Sequence, residues 1–182
     1  MTHGTTNKIL DAALKEFSDK GYVGAKTKDI AAKSGLSEMT LFRRFKTKKN
    51  LFKQVLIKNQ EDIIKKNYHI LDYNKFENPD DFFRNIIYQL YEIISENFEF
   101  VNLIILEKHQ VFDYIDTEVF MIINSIDEAY PDSKVDLKVL VYSIISFIYM
   151  NLLDERLGRK ILHKEDFEEF INYNITLLKL NM

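Results

Sequence analysis

Apolar residues recur along this chain three and four positions apart, the period of an α-helix with one buried face. Ile9, Leu10, Ala13, Leu14 and Phe17 mark a first helix, with Thr5 or Thr6 as its cap and Gly21 as its stop. After a short linker at Tyr22–Lys26, Thr27 is expected to cap a helix running to about Ser34. Gly35-Leu36 breaks the chain, Ser37 caps a short helix to about Arg43, and Thr47 caps a longer one toward Leu71. A polar stretch follows at Asp72–Asn78. Asn78-Pro79-Asp80-Asp81 then has the order of a helix start: a cap, proline at the first helical position, and acids in the first turn. That helix buries Phe82, Phe83, Ile86, Ile87, Leu90 and Ile94 and ends near Asn97. Others are expected over about Phe98–His109, around Ile115–Ile126, from Asp136 to Leu157 and over Lys164–Asn181.

The expected fold is all-α with nine helices, four before the polar stretch and five after it. An N-terminal helix-turn-helix domain is placed at residues 1–50, with a connecting helix over 47–71. A helical domain occupies 72–182. Only five Gly and two Pro in 182 residues support helices over a turn-rich β fold. The N-terminus is polar, and no uninterrupted apolar run reaches the roughly 18 residues of a membrane span. The expectation is a cytoplasmic protein with no membrane association.

Charge changes the picture more than composition does. Residues 1–67 hold 15 Lys and Arg against 7 Asp and Glu, net +8, while the remainder holds 10 against 21, net −11. Such a split points the N-terminal third at a polyanion. The absence of cysteine excludes disulfides, thiolate metal sites and cysteine nucleophiles. His3, His69, His109 and His163 have no second histidine at helical spacing, so neither a metal site nor a cofactor is expected. Asp80-Asp81, Asp154-Glu155 and Glu168-Glu169 read as caps or solvated surface. With no glycine-rich phosphate loop and no nucleophile elbow, an enzyme is not expected.

Function is concentrated between Thr27 and Phe45. Ile30 and Ala31 face inward, with Ala31 small enough for two helices to cross closely. Gly35 takes the turn, Leu36 fills the gap between the helices, and Leu41 and Phe45 anchor the second helix. The remaining polar positions project outward, as a groove-entering helix requires. The order T-x-x-I-A-x-x-S-G-L-S-x-x-T-L-F-x-x-F-x-x-K-x-x-L, from Thr27 to Leu51, resembles the DNA-binding signature of TetR-type regulators, with close agreement over about residues 5–55.

The resemblance implies roles residue by residue. Thr27 and Lys28 would lie beside the phosphate backbone, Ser37 and Thr40 would hold phosphates at the recognition-helix N-terminus, and Lys46, Lys48 and Lys49 would pair with further phosphates. Base reading falls to Glu38, Met39, Arg43 and Arg44, and which arginine reads bases is open. Phe42 stands where the family often has tyrosine, which removes a phosphate-binding hydroxyl and leaves packing as its expected role. The family pattern also implies a homodimer through the last two helices on a palindromic double-stranded DNA operator, repressing transcription. A small apolar or aromatic effector would bind in the second domain, where Phe83, Tyr88, Tyr91, Phe112, Phe120, Met121, Tyr142 and Tyr149 are the candidate lining. The alternative is a DNA-binding adaptor whose second domain takes a protein partner or no effector.

Overall fold

A computed structural model describes residues 2–67 and 71–180, with side chains for all of these except 2, 3 and 108–116. The fold is all-helical, as expected. Among the described residues there are nine α-helices and no strand: α1 Thr2–Gly24, α2 Thr27–Lys33, α3 Glu38–Phe45, α4 Lys48–Asn67, α5 Pro79–Glu96, α6 Phe98–Leu106, α7 Lys108–Ala129, α8 Leu137–Arg156 and α9 Lys164–Lys179. A 3-10 turn, Tyr73–Lys75, precedes α5.

Two compact units emerge, and they do not follow a single cut after residue 71. The first combines residues 1–65 with 97–114, and the second combines 66–96 with 115–182. The helix α6 therefore belongs with the N-terminal helices. The cause is polar as well as apolar: Asn102 Nδ2 donates to the Ser18 carbonyl at 3.1 Å, and Phe100 and Leu103 join the core of the first unit. The helix is also shorter than expected. The Glu107 amide bonds the Leu103 carbonyl and closes it, so His109 already lies in α7.

In the first unit, Ile9, Ala13, Phe17, Ile30, Leu41, Leu51 and Val55 are buried together. Phe17 meets Phe52 edge-on with ring centroids 5.1 Å apart, a geometry aromatic pairs favour. α1 begins before Thr5 and Thr6, so neither threonine caps it. Gly21 does interrupt it: its φ of 68° and ψ of 171° lie in a region that only glycine occupies without strain. A Cβ there would also come within 2.9 Å of Glu107 Oε1, the carboxylate that accepts the Tyr22 amide at 2.5 Å.

On α1, paired toward α2, is Glu16, a fully buried carboxylate. Lys20 Nζ stands 2.6 Å from one of its oxygens and Lys33 Nζ 2.5 Å from the other. Burial alone would raise the Glu16 pKa, but the two ammonium groups outweigh it and hold the carboxyl below its usual range.

In the second unit, α5 buries Phe82, Phe83, Ile86, Ile87, Leu90 and Ile94, every position its periodicity marks, and packs against α8 and α9. Asn78 caps α5 through the Asp81 amide at 2.9 Å, and Asp136 caps α8 through the Val139 amide at 3.1 Å. The acidic pairs serve structure: Asp80 accepts from Tyr130 at 3.1 Å, and Glu168 pairs with Arg84 at 2.6 Å and also binds the Tyr88 hydroxyl. α8 is, among the described residues, the one helix long and apolar enough to cross a membrane. Its buried stripe of Leu140, Val141, Ile144, Ile148 and Leu152 is that of a core helix.

Candidate nucleic-acid interface

The helix-turn-helix is assembled by backbone bonds that its sequence makes possible. Gly35, with φ 70°, turns the chain after α2, and the Gly35 and Leu36 amides bond the Ala32 and Ala31 carbonyls, each at 3.0 Å. Leu36 packs half-buried against the shared core. Ser37 caps α3 by accepting the Thr40 amide at 3.2 Å, an arrangement worth about 1 kcal/mol. The Ser37 and Thr40 hydroxyls lie 2.9 Å apart, both at the positive end of the helix. Leu41 and Phe45 are buried, which fixes the face of α3 that turns outward.

Two expected roles change at the level of single side chains. Thr27 is the first helical residue of α2 and not its cap, which is Lys26 in extended conformation. The Thr27 hydroxyl instead donates to Glu38 Oε1 at 2.6 Å, tying the start of α2 to the start of α3. Glu38, expected among the base readers, is thereby half-buried and engaged. Arg44 likewise turns back toward α1, where Nη1 donates to Thr6 Oγ1 at 2.7 Å. Arg43 is exposed.

The flanking cations differ as well. Lys28, Lys46 and Lys49 are exposed, whereas Lys48 is half-buried. Lys48 Nζ lies 4.9 Å from the centroid of the Tyr22 ring and 3.3 Å from the Val23 carbonyl. Burial holds its ammonium below the usual lysine range, against the opposing pull of the Glu107 carboxylate. Phe42, expected to pack, is 40% exposed, and Met39 is 79% exposed. Thr6, expected only as a possible cap of α1, turns Arg44 inward, and Tyr22, expected only in a linker, seats Lys48; each acts from another helix.

The aromatic residues of the second unit do not form one lining. Tyr88 and Tyr91 border a half-open cleft of about 390 Å³ with Asn151, Glu155, His163 and Phe167. Phe83 is buried in the core, 6.2 Å from the Tyr130 ring, and Tyr149 is also buried. Phe120 is 62% exposed, so it lines no interior space. Met121 borders a different cleft with Leu71, Lys75 and Glu128, and Tyr142 is half-buried away from both. The side chain of Phe112 lies outside the described residues. Glu92, Glu155, Lys160 and Lys164 give the Tyr88–Tyr91 cleft a charged rim, so its surface is mixed polar and apolar.

Comparison with known proteins bears first on the N-terminal segment. The model of bacterial regulatory proteins of the tetR family matches residues 9–55, which include the whole helix-turn-helix. Over those residues the chain carries a DNA-binding segment of the tetR family type.

A Bacillus subtilis (strain 168) protein, described as the uncharacterized HTH-type transcriptional regulator YvkB, is 46% identical over 52 residues. That stretch is 29% of this chain and 28% of the relative. The chain thus matches little more than a quarter of this curated relative's length. Solved structures extend the likeness of fold over nearly the whole chain. A Clostridium perfringens protein described as a fatty acid metabolism regulator superposes with a TM-score of 0.75 at 21% identity, covering 94% of this chain and 97% of that one. A TetR-like regulator from Rhodococcus sp. RHA1 gives 0.71 at 16% identity, covering 92% and 91%. AibR, solved with isovaleryl coenzyme A and operator DNA, gives 0.64 at 18% identity, covering 81% and 85%.

Proposed function

We propose that this protein is a TetR-type, sequence-specific DNA-binding repressor that occupies a palindromic operator as a homodimer and leaves it when a small molecule binds the second unit. The observation that carries the reading is α3: a capped, well-anchored helix whose outward side chains are free of the core, inside a net-positive segment. Thr27, Lys28, Ser37, Thr40, Lys46, Lys48 and Lys49 supply phosphate contacts in this reading. A twofold dimer is needed because one helix reads few base pairs, while two read half-sites roughly 34–36 Å apart.

The exposed faces of α8 and α9 support the dimer. Val139, Ser143, Ser146 and Met150 fall on one exposed stripe of α8 that leads to Leu157 at its C-cap, and Tyr173 of α9 and Leu180 at its C-cap are exposed as well. The Ser143 and Ser146 hydroxyls donate to carbonyls of their own helix at 2.7 Å, so that stripe carries no hydroxyl in need of a partner. Small residues between apolar ones let a second helix approach closely. Met150→Glu should convert the dimer to monomer in sedimentation velocity and weaken operator binding together with it; a dimer that persists contradicts the α8–α9 assignment.

For the effector, the Tyr88–Tyr91–Phe167 cleft is the proposed site, and its mixed lining favours a ligand with an aromatic or apolar body and a polar end. AibR, bound to an acyl coenzyme A, shows that this fold accepts such molecules in one relative. The half-open cleft equally favours a second reading, in which this surface takes a protein partner and no metabolite. Thermal shift and DNA release across a compound panel separate the two. A compound that stabilises the protein and frees DNA supports the effector; release by no compound, with Tyr91→Ala neutral, supports the adaptor.

A further inference from the structure

Resting on the reading of α3 as the DNA-contacting helix, the structure narrows which of its side chains carry sequence information. With about 100° between successive residues, Met39, Phe42 and Arg43 share an arc of about 100°, turned away from Leu41 and Phe45. Glu38 borders that arc on one side, Arg44 lies beyond Thr40 on the other, and both are tied inward. Glu38 Oε1 accepts from Thr27 at 2.6 Å, and Arg44 Nη1 donates to Thr6 at 2.7 Å. The Arg44 Nε is buried and has no hydrogen-bond partner, so its guanidinium already sits within the protein wall.

What the arc presents is unusual for a polyanion-facing surface. Met39 is 79% exposed and Phe42 40% exposed, one helical turn apart, beside the exposed Arg43. Large apolar side chains are informative when they adjoin on a surface, because leaving them in water forfeits burial free energy. In the major groove, the apolar group displayed by a base is the thymine C5 methyl, and the strongest partner for an arginine is the O6/N7 edge of guanine.

We infer that the operator half-site is read by Met39, Phe42 and Arg43, the first two against thymine methyls and the third against a guanine. Arg44 is then a positioning residue that pins α3 to α1 through Thr6. This assigns the two arginines different work, and it gives Phe42 a role that the missing tyrosine hydroxyl leaves open.

The test starts from duplexes selected by the wild-type protein out of a random DNA library. Failure to enrich any duplex would overturn the reading of the protein as a sequence-specific DNA binder, before the inference itself is reached. With a selected duplex in hand, each thymine is replaced singly by deoxyuridine, which lacks only the methyl. Loss of about fourfold in affinity, the worth of one buried methyl, is expected at one or two positions per half-site. Met39→Ala and Phe42→Ala should no longer distinguish thymine from deoxyuridine there. Uniform tolerance of deoxyuridine by the wild type overturns the apolar reading. For the arginines, Arg43→Ala should relax the preference at a guanine. Arg44→Ala should keep the selected sequence but bind every duplex more weakly. Thr6→Val should have the same effect, and combining the two should add little. A changed base preference in Arg44→Ala overturns its assignment as a positioning residue.

Discussion

Within the first unit, polar side chains reach across helices to fix one another: Thr27 to Glu38, Arg44 to Thr6, Asn102 to Ser18, and Lys20 and Lys33 to Glu16. Within the second, the polar links of Asp80 and Glu168 likewise brace α5 against its neighbours, but the outward face of α8 is mostly apolar or silent. The units are alike in helix content and in how they bury apolar stripes. They differ in what constrains the surface. A surface that must match a repeating polyanion restricts residue type at many positions at once, whereas a surface that meets one particular ligand or partner restricts only its own.

Two positive-φ glycines, Gly21 in the first unit and Gly158 in the second, put a number on this difference. Gly21→Ala should cost about 1–3 kcal/mol of stability, because its backbone lies where only glycine is unstrained and its new Cβ would press on Glu107 Oε1, 2.9 Å away. Gly158→Ala meets open space and pays only the left-handed backbone, about 1–2 kcal/mol. Denaturant unfolding compares them, and equal losses would show that the Gly21–Glu107 approach carries no strain.

Glu16 gives the next effect. Glu16→Gln should destabilise the protein by about 1–3 kcal/mol, the range for a buried charged group losing its partners. Its folded pKa lies below the ordinary value of 4.5, so its contribution is complete above that value and fades as the pH falls through the lower folded one. The wild type should therefore lose its advantage over Glu16→Gln on acidification. A constant difference between the two from neutral to strongly acid pH would show that the Lys20 and Lys33 pairs contribute nothing.

The smallest effect concerns exposed lysines. Lys49→Ala should weaken binding to all duplexes alike and lower the salt dependence of affinity by about one counterion, while Lys138→Ala in the second unit changes neither. Equal salt slopes for wild type and Lys49→Ala would remove Lys49 from the interface.

Much of the fold was legible because it depends on neighbours in sequence. Helix period, the Ser37, Asn78 and Asp136 caps, and the Gly35 turn are all local. What escaped depends on distant residues. The partner of Arg44 lies 38 positions away, so no reading of α3 alone separates it from Arg43. The membership of α6 in the first unit rests on Ser18 and Tyr22, more than 80 positions earlier. Aromatic residues at helical spacing look alike whether they end as core, like Phe83, on a cleft, like Tyr91, or in solvent, like Phe120. Periodicity reports that a face is buried and not what lies across it.

The central claim is that α3 reads a specific duplex, and selection from random double-stranded DNA tests it most directly. The account predicts enrichment of an inverted repeat whose half-sites lie about one helical turn apart, with the enrichment lost in Arg43→Ala at a guanine position. Recovery of no motif, or of the same motif at undiminished strength by Arg43→Ala, would contradict it.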